Sequence, residues 1–269
     1  MHPLLKVEDL VKQYPAGRSA GSKVKLLALD AVSLSIAQQT TLALVGESGS
    51  GKSTLALCFA CLEQPTSGSI FFEGVDVAAL PESELRSVRP QVQLVFQDPA
   101  ASLNPRWTTF EILSEPLFLQ RSLAKQNRNN TVSQLLDRVA LPRNLTSRRP
   151  GELSGGQKQR LAIARALALE PKMIILDEAL SALDCSVQAQ ILNLLLDLQS
   201  SLGLTYLFIT HDFSMAAQIA DQIAVMDRGR IVESGTVHKI LSSPTHESTR
   251  TLLAATPRFP TSPPSQVNP

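Results

Sequence analysis

Cysteine is scarce in this sequence, which has three cysteines among 269 residues. So few thiols, and an odd number of them, exclude a disulfide-stapled scaffold and favour a reducing compartment. Long apolar runs are absent too, because none approaches the length of about 20 residues that a membrane-spanning helix needs. Residues 1–10 carry charges at Lys6, Glu8 and Asp9 and lack the apolar core of a signal peptide. We therefore expect a soluble cytosolic protein, or one that partners hold at a membrane.

The chain also lacks a large net charge, because its 25 lysines and arginines nearly balance its 24 aspartates and glutamates, which leaves a formal net charge of +1. A chain that binds nucleic acid usually presents a basic surface to the phosphates, so we expect no nucleic-acid partner. Wholesale disorder is excluded as well, because apolar residues make up 43% of the chain. The length predicts one large domain or two small ones.

Short apolar runs alternate with helical patterns along the chain, which predicts an α/β fold with a largely parallel sheet. Strands are expected at residues 41–45, 92–96, 173–176, 206–209 and 223–226. The clearest helix is expected over residues 187–202, where apolar residues form one stripe and Gly203 is placed to end it. Between Pro99 and Pro150, polar helical segments predict a helical insertion. After Leu253 the sequence is rich in proline and serine and predicts a flexible tail.

A glycine-rich segment follows the first of these strands and matches the phosphate-binding P-loop pattern G-x-x-x-x-G-K-[ST]. With the residue after it, the segment comprises Gly46, Glu47, Ser48, Gly49, Ser50, Gly51, Lys52, Ser53 and Thr54. Its backbone N–H groups and the helix N-terminus behind them attract phosphate oxygens. We expect Lys52 to reach the β- and γ-phosphates and the Ser53 hydroxyl to hold Mg²⁺. The alternative, a glycine-rich turn with a chance lysine, does not explain the flanking apolar strand and helix.

Two carboxylates, Asp177 and Glu178, end the apolar run MIIL. In a P-loop enzyme the first acid serves Mg²⁺, and the second orients and deprotonates the attacking water. Taken alone, the pair is more simply a strand that ends at a solvated acidic turn. The P-loop upstream favours the catalytic interpretation.

A second candidate anion receptor, LSGGQ at residues 153–157, opens another helical pattern. Ser154 is a suitable N-cap, and Gly155 and Gly156, followed by Gln157, expose backbone N–H groups at a positive helix end. The alternative is a plain capped helix, but a serine cap does not need two glycines behind it.

Together, the P-loop, LSGGQ and ILDE resemble the nucleotide-binding subunit of ATP-binding cassette (ABC) transporters. Further signatures of that family occur in order at Tyr14, at Gln97, in the run SALD that ends at Asp184, and at His211. The resemblance implies a P-loop NTPase (RecA-like) core with a parallel sheet, an antiparallel β part and an inserted α-helical subdomain. It also implies an ABC ATPase domain over residues 1–253, with the helical subdomain inserted at about residues 98–159 and the tail at 254–269.

The resemblance implies a role for each signature residue. Tyr14 would stack on adenine, although an ordinary half-buried tyrosine is the alternative. Glu178 would be the general base, and Gln97 would touch both Mg²⁺ and the attacking water. His211 would contact the γ-phosphate, with a structural histidine as the alternative. The implied cofactors are ATP and Mg²⁺, and the implied metal ligands are Ser53, Gln97 and Asp177.

In this family LSGGQ closes over the ATP held by the opposite subunit, and the residue at Asp184 lies at the subunit interface. The resemblance therefore implies a dimer with a second ABC ATPase subunit. Importers of this kind usually pair two different ATPase chains, so a heterodimer is expected, and a homodimer is the alternative. It further implies two transmembrane permease subunits, an extracytoplasmic solute-binding protein that acts indirectly, and a location at the cytoplasmic face of the cell membrane. The segment after Gln97 is expected to couple to the permease, because Pro99 and Pro105 bracket a stiff surface loop that carries Leu103 and Arg106.

A narrower resemblance is carried by FQDPAASLNPR at residues 96–106, by SALDCSVQAQILNLL and by the run GRIVESG. These resemble the subfamily that energises dipeptide, oligopeptide and nickel importers. Ala179 follows the acid pair where peptide-importer subunits usually have proline and nickel-importer subunits do not, so the solute stays open. An importer ATPase is the leading interpretation. The alternatives are a soluble ABC ATPase that acts on DNA or the ribosome, and an exporter subunit.

Cys58 and Cys61 form a C-x-x-C pattern within the helix expected after the P-loop. They would share one face of that helix, where a redox pair or half of a zinc site is conceivable, but two small core residues is the simpler interpretation. Some subunits of the subfamily carry an iron–sulfur cluster on C-terminal cysteines. No cysteine follows Cys185, so no such cluster is expected.

Overall fold

Two β-sheets and a set of helices organise the chain in the structure, a computed structural model that describes residues 3–19, 22–119 and 125–255. The strands are β1 (Pro3–Ser19), β2 (Ser22–Ala37), β3 (Thr41–Val45), β4 (Ser67–Phe72), β5 (Val75–Asp76), β6 (Val92–Val95), β7 (Met173–Asp177), β8 (Thr205–Thr210), β9 (Gln222–Asp227) and β10 (Arg230–Thr236). The α-helices are α1 (Lys52–Phe59), α2 (Glu82–Val88), α3 (Pro99–Ser102), α4 (Thr109–Leu119), α5 (Lys125–Arg138), α6 (Gly155–Leu167), α7 (Cys185–Leu202), α8 (Phe213–Ile219), α9 (Val237–Ser242) and α10 (Glu247–Ala255).

The central sheet has the strand order β10-β9-β3-β8-β7-β6 and is parallel except for β10, which pairs antiparallel with β9. Strands β3 and β8 are buried along their whole length, and β7 is buried up to its last residue. A parallel strand that is covered on both faces needs an uninterrupted apolar run, which these segments have. The predicted α/β fold with a largely parallel sheet is confirmed, although β6 ends at Val95, one residue earlier than expected.

Parallel pairing brings the carboxyl ends of β3, β8 and β7 together at one edge of this sheet. Val45 of β3 lies opposite Thr210 of β8, and Ile209 lies opposite Asp177 of β7. Residues that follow these strands therefore meet at the same edge, as ligand-binding residues do in open α/β sheets.

The second sheet is antiparallel, with the order β2-β1-β4-β5, and confirms the expected antiparallel β part. It is joined to the central sheet at the turn between β9 and β10. There the amide of Asp30 in β2 donates to the carbonyl of Gly229 at 2.9 Å, and the amide of Gly229 donates to the carbonyl of Ser50 at 2.8 Å. The two hydrogen bonds link β2 to the glycine-rich loop after β3.

Helices α3, α4 and α5 occupy the stretch between β6 and α6, where the sequence predicts a helical insertion. Leu113 of α4, Leu135 of α5 and Leu161 of α6 are buried in one apolar cluster, which continues to Leu176 of β7. The helical subdomain thus packs on the central sheet through α6, and its presence is confirmed.

Helix α7 begins at Cys185, two residues before the predicted start, because Asp184 caps it. The Oδ1 atom of Asp184 accepts a hydrogen bond from the amide of Val187 at 2.9 Å. Gly203 ends the helix in the left-handed conformation, with a φ of +66°, as the sequence predicts.

The last helix, α10, runs to Ala255, so residues 254 and 255 are helical where the tail was expected to begin. The remainder of the expected tail, residues 256–269, lies outside the described residues. Within the described ranges, no helix combines the length and the apolar character that crossing a membrane requires.

Candidate active site

The glycine-rich loop lies between β3 and α1, and close packing explains two of its glycines. A Cβ atom on Gly46 would lie 2.2 Å from the carbonyl oxygen of Met226, and one on Gly51 would lie 2.5 Å from that of Ala28. Gly51 also has a φ of +108°, which L-residues rarely adopt. The loop is therefore held between β2 and β9, and its N–H groups start helix α1.

Lys52 lies at the first position of α1 and is buried. Its Nζ donates to the carbonyl of Gly46 at 2.9 Å and to the carbonyl of Glu47 at 2.8 Å. Burial lowers the pKa of the ammonium, and the negative charges of Glu178 and Asp177 oppose that shift. The side chain thus spans the inside of the loop and lies near both acids.

Asp177 ends β7, and its Oδ1 atom is buried without a hydrogen-bond partner. Burial raises the pKa of this carboxyl group, while a hydrogen bond from the Ser53 hydroxyl and the charge of Lys52 lower it. A buried carboxylate oxygen without a partner beside a hydroxyl is a donor set that suits Mg²⁺, which takes one or two carboxylates plus phosphate oxygens and water. Among residues 3–19, 22–119 and 125–255, no group of three or more His, Cys, Asp or Glu side chains forms a metal site. Ser53 and Asp177 are the side chains whose chemistry fits this ion.

Glu178 follows β7 in a backbone conformation that is uncommon for a residue with a side chain, with a φ of +46°. Its amide donates to the carbonyl of Ile209 at 3.0 Å, which holds it at the end of β8. The Glu178 side chain is 18% exposed, and its Oε2 lies 3.8 Å from Nδ1 of the more exposed His211. The carboxylate and the imidazole thus face the same space at the edge of the sheet.

Gln97 and Ser181 complete this edge. Nε2 of Gln97 lies 3.5 Å from Oγ of Ser181, and that hydroxyl donates to the carbonyl of Glu178 at 2.9 Å. The sequence did not predict Ser181 as a site residue, although it lies in the run SALD, residues 181–184. Its hydroxyl links the helical subdomain side of the site, after β6, to the backbone of the candidate base.

Tyr14 lies on β1 opposite Leu26 of β2 and is partly exposed. Two residues along β2, the carbonyl of Ala28 touches the loop at Gly51. The strand pairing therefore brings Tyr14 to the side of the glycine-rich loop.

The LSGGQ segment, residues 153–157, lies on another part of the fold, at the start of α6. Oγ of Ser154 accepts from the amide of Gln157 at 3.3 Å, and Oε1 of Gln157 accepts from the amide of Ser154 at 2.9 Å, which forms a capping box. Ser154 and Gly155 are exposed. In the described part of the chain, no hydrogen bond or ion pair joins residues 154–157 to the glycine-rich loop.

The two glycines of the LSGGQ segment pack against the beginning of α7. A Cβ atom on Gly155 would lie 3.2 Å from Cδ2 of Leu183, and one on Gly156 would lie 2.7 Å from Cγ1 of Val187. A bulky residue at Gly156 would thus push on α7 within the same chain. Ser154 is the better position for probing what this helix end binds.

The cysteine pair differs from its expectation in one respect. Helix α1 ends at Phe59, so Cys61 lies beyond it with a φ of +55°, and the two cysteines do not share a helix face. Burial raises the pKa of Cys58 to about 12, which keeps its thiol protonated. The pair therefore behaves as small packing residues.

The segment after Gln97 is not the uniform surface loop that the sequence suggests. Pro99–Ser102 is helix α3, and Leu103 is only 2% exposed because it packs in the large apolar cluster. Arg106 is exposed. Beside this segment, a cavity of about 760 Å³ opens between β6 and helices α4 and α6, and Phe96, 43% exposed, lines it.

The sequence of the chain is also similar to those of known proteins. The sequence model of the family described as ABC transporter matches residues 29–181. The chain is 48% identical over 256 residues to the probable peptide ABC transporter ATP-binding protein y4tS of Sinorhizobium fredii, covering 94% of this chain and 72% of that protein. It is 46% identical over 258 residues to the dipeptide transport ATP-binding protein DppF of Escherichia coli, covering 96% and 77%. It is 48% identical over 260 residues to the oligopeptide transport ATP-binding protein OppD of Mycobacterium bovis, covering 95% of this chain and 42% of that longer protein.

Solved structures show the same architecture. The ATP-binding cassette MJ0796, a dimer in a post-hydrolysis state with ADP and Pi, has a TM-score of 0.78 at 30% identity and covers 87% of this chain and 98% of its own. The cbiO1 protein of Clostridium perfringens, part of the ABC transporter complex cbiONQ, has a TM-score of 0.78 at 29% identity, with coverage of 90% and 92%.

Proposed function

Because the chain belongs to the ABC transporter family and is an ATP-hydrolysing subunit of a transporter, we propose that it energises a peptide importer as one of two facing ATPase subunits. The observation that carries this proposal is the edge of the central sheet. Lys52, Asp177 and Glu178 meet there through the parallel pairing of three strands.

Each of these side chains has a task that its surroundings suit. The Lys52 ammonium, which bonds carbonyls of its own loop, would transfer those hydrogen bonds to β- and γ-phosphate oxygens. Glu178, largely shielded from solvent, would orient the attacking water and take its proton. His211, which faces the same space, would contact the γ-phosphate and hold the water in line.

Mg²⁺ is the metal that the donor set fits. Ser53 and Asp177 would hold it, with Gln97 approaching from the end of β6, and when bound it neutralises charge that develops on the phosphates. The orphaned Oδ1 atom of Asp177 supports this assignment, because a buried carboxylate oxygen without a partner is costly unless a cation or donor completes it.

The exposed start of α6 supports a dimeric site. The two glycines after Ser154 present N–H groups at a positive helix end, and nothing in the described ranges of the chain bonds them to the glycine-rich loop. In a facing pair, each helix end would meet the phosphates that the other chain holds, and Asp184, exposed at the start of α7, would lie at the contact. The resemblance to importers with two different ATPase chains favours a heterodimer. A homodimer is also consistent with this arrangement, because the chain carries the residues of both halves of such a site.

The cavity beside β6 is the proposed permease contact. Arg89, Glu115 and Arg165 line it with Phe96, and Arg165 donates to Glu115 at 2.9 Å. An exposed aromatic ring beside charged groups suits a short amphipathic helix from a permease. The contact would hold this chain at the cytoplasmic face of the membrane, and it includes the buried Leu103, which lines the same cavity.

Peptides are the proposed solute, because the relatives named above are peptide, dipeptide and oligopeptide transport proteins. The solute-binding protein would act indirectly, through the permeases. The test is purification of the tagged chain with its permeases from membranes, reconstitution in vesicles, and measurement of ATP hydrolysis with dipeptides, oligopeptides or Ni²⁺ and the cognate binding protein. Stimulation by peptides supports the proposal, and stimulation by Ni²⁺ alone contradicts it.

A matched pair of variants tests the permease contact in the same preparation. Phe96→Ser should lose the permeases during purification, whereas Phe118→Ser, at another exposed ring outside the cavity, should keep them. Equal retention of the permeases by both variants would place the contact elsewhere.

A further inference from the structure

We propose that Lys12 is a positioning residue for Tyr14 and thereby sets the affinity of the site for the base of the nucleotide. The inference rests on the proposed function, in which Tyr14 stacks on adenine. Both residues lie on β1, two positions apart. Nζ of Lys12 lies 4.9 Å from the centroid of the Tyr14 ring, within the range of a cation–π interaction.

The Lys12 ammonium is held in place and is not a mobile surface charge. Its side chain is 11% exposed, and lysines are rarely so buried unless they are paired. Nζ forms an ion pair with Glu63 and donates to the carbonyl of Gln64 at 2.7 Å. These two partners fix a side chain that otherwise has many rotamers, so the charge stays against the ring.

The same partners connect the ring to the phosphate-binding helix. Glu63 and Gln64 follow α1, the helix that begins at the glycine-rich loop, and the carboxyl end of a helix attracts a cation. Two more hydrogen bonds hold β1 against this stretch: Thr66 donates from its amide to the carbonyl of Val11 at 2.7 Å, and its hydroxyl accepts from the amide of Gln13 at 2.9 Å. The base-binding strand and the far end of the phosphate-binding helix are thus anchored at one place.

A ring with a fixed cation on one face offers its remaining surface in a set orientation. Stacking of a base then costs less side-chain entropy than it would on a freely rotating tyrosine. The contribution of Lys12 therefore applies only to ligands that carry a base, and it requires the Tyr14 ring.

The test compares two ligands by calorimetry: AMPPNP, which carries adenine, and inorganic tripolyphosphate, which does not. Lys12→Met keeps the apolar stem and removes the charge, and it should weaken AMPPNP binding about three- to tenfold while leaving tripolyphosphate binding unchanged. Lys12→Arg keeps a cation and should restore most of the AMPPNP affinity. In a Tyr14→Ala background, Lys12→Met should have no further effect.

Several results would overturn the proposal. Unchanged AMPPNP binding by Lys12→Met would show that the ammonium does not act on the base, and an equal loss for both ligands would show a general effect on the fold. A full effect of Lys12→Met in the Tyr14→Ala background would show that the ring is not involved. If Tyr14→Ala by itself leaves the ratio of the two affinities unchanged, the adenine assignment in the proposed function fails and this inference fails with it.

A second variant keeps the test informative if Lys12→Met does not fold. Glu63→Ala releases the ammonium without removing it, and Glu63 is itself partly exposed. It should give the same selective loss of AMPPNP affinity in weaker form. An unchanged AMPPNP affinity in that variant would contradict the proposal.

Discussion

The two anion receptors of this chain differ in how they are completed. The loop at residues 46–53 is held against the sheet: Lys52 donates to its carbonyls, Gly229 donates to Ser50, and the two acids at the end of β7 lie near Lys52. The start of α6 is capped by its own Ser154 and Gln157 and is exposed beyond that. The first receptor has its partners within the chain, whereas in the proposed function the second would meet phosphate only on a facing subunit. We therefore expect hydrolysis, but not nucleotide binding, to depend on both.

Removal of the candidate base should have the largest effect on ATP hydrolysis. Glu178→Gln is expected to lower ATP hydrolysis by about 100- to 10,000-fold, because an amide cannot accept the proton of the attacking water. Phosphate release measures the rate, calorimetry should show unchanged ATP binding, and size-exclusion chromatography should show the ATP-bound dimer. Glu170→Gln, at an exposed carboxylate before β7, is the control and should keep its activity. Wild-type turnover by Glu178→Gln would refute the assignment.

The same receptor should lose affinity when its cation is removed. Lys52→Ala is expected to weaken ATP binding about tenfold to 100-fold, as for charge-assisted hydrogen bonds worth about 1.5–3 kcal/mol. Calorimetry with ATP checks this, with Lys172→Ala as the control, since that exposed lysine pairs with Glu73. Equal affinities in the two variants would mean that Lys52 serves only its own loop.

A charge at Ser154 should test the exposed receptor without disturbing the fold. Aspartate and asparagine both keep the N-cap acceptor, so Ser154→Asp and Ser154→Asn differ only in charge. Ser154→Asp is expected to lower hydrolysis at least about tenfold more than Ser154→Asn, because a carboxylate would face the γ-phosphate of the partner's ATP. AMPPNP binding by the isolated chain should stay unchanged in both. If Ser154→Asp lost monomer binding, the contact would lie within one chain.

A third region, around Glu233, belongs to neither receptor. Glu233 of β10 is buried, which alone would raise its pKa, but hydrogen bonds from Thr245 and His246 outweigh burial and lower the pKa from 4.5 to about 2. A depressed folded-state pKa stabilises the protein above the unfolded-state value of 4.5, and this stability is lost as pH falls toward 2.

Glu233→Gln should therefore lower the melting temperature at pH 7 by about 2–4 °C. The difference from the wild-type protein should shrink as pH falls below 4.5, while ATP hydrolysis at pH 7 stays unchanged. Thermal unfolding followed by circular dichroism at several pH values measures it. A difference that is independent of pH would mean that the charge of Glu233 contributes nothing.

Three of the five strands that sequence patterns predicted share one physical property. The buried strands β3, β7 and β8 lie in the middle of the parallel sheet and appear as short apolar runs. The missed strands β4 and β10 are partly exposed, and the long pair β1 and β2 has register shifts that break a simple alternation. A pattern of apolar runs therefore finds the parallel strands of the central sheet and misses the antiparallel strands of both sheets.

The candidate site shows the same division. The phosphate-binding loop, the acid pair and the LSGGQ helix start were all recognisable as local patterns, because each depends on residue types at fixed spacing. Leu103 was wrongly expected at the surface, since local sequence does not show which side of a short helix packs inward. The role of the Ser181 hydroxyl could not be predicted from local sequence either. It connects Gln97 to the backbone of Glu178, and Gln97 is far from both in sequence.

Side-chain type and local spacing were enough to predict the chemistry, that is, which residues can bind phosphate, hold a divalent cation and accept a proton. Which of these residues meet depends on the tertiary structure. Parallel pairing of β3, β8 and β7 brings Lys52, Asp177 and Glu178 to one edge, while the packing of α6 on α7 leaves Ser154 exposed, apart from that edge. Strand order and helix packing depend on contacts between distant segments, and such contacts are not visible in any local run of residues.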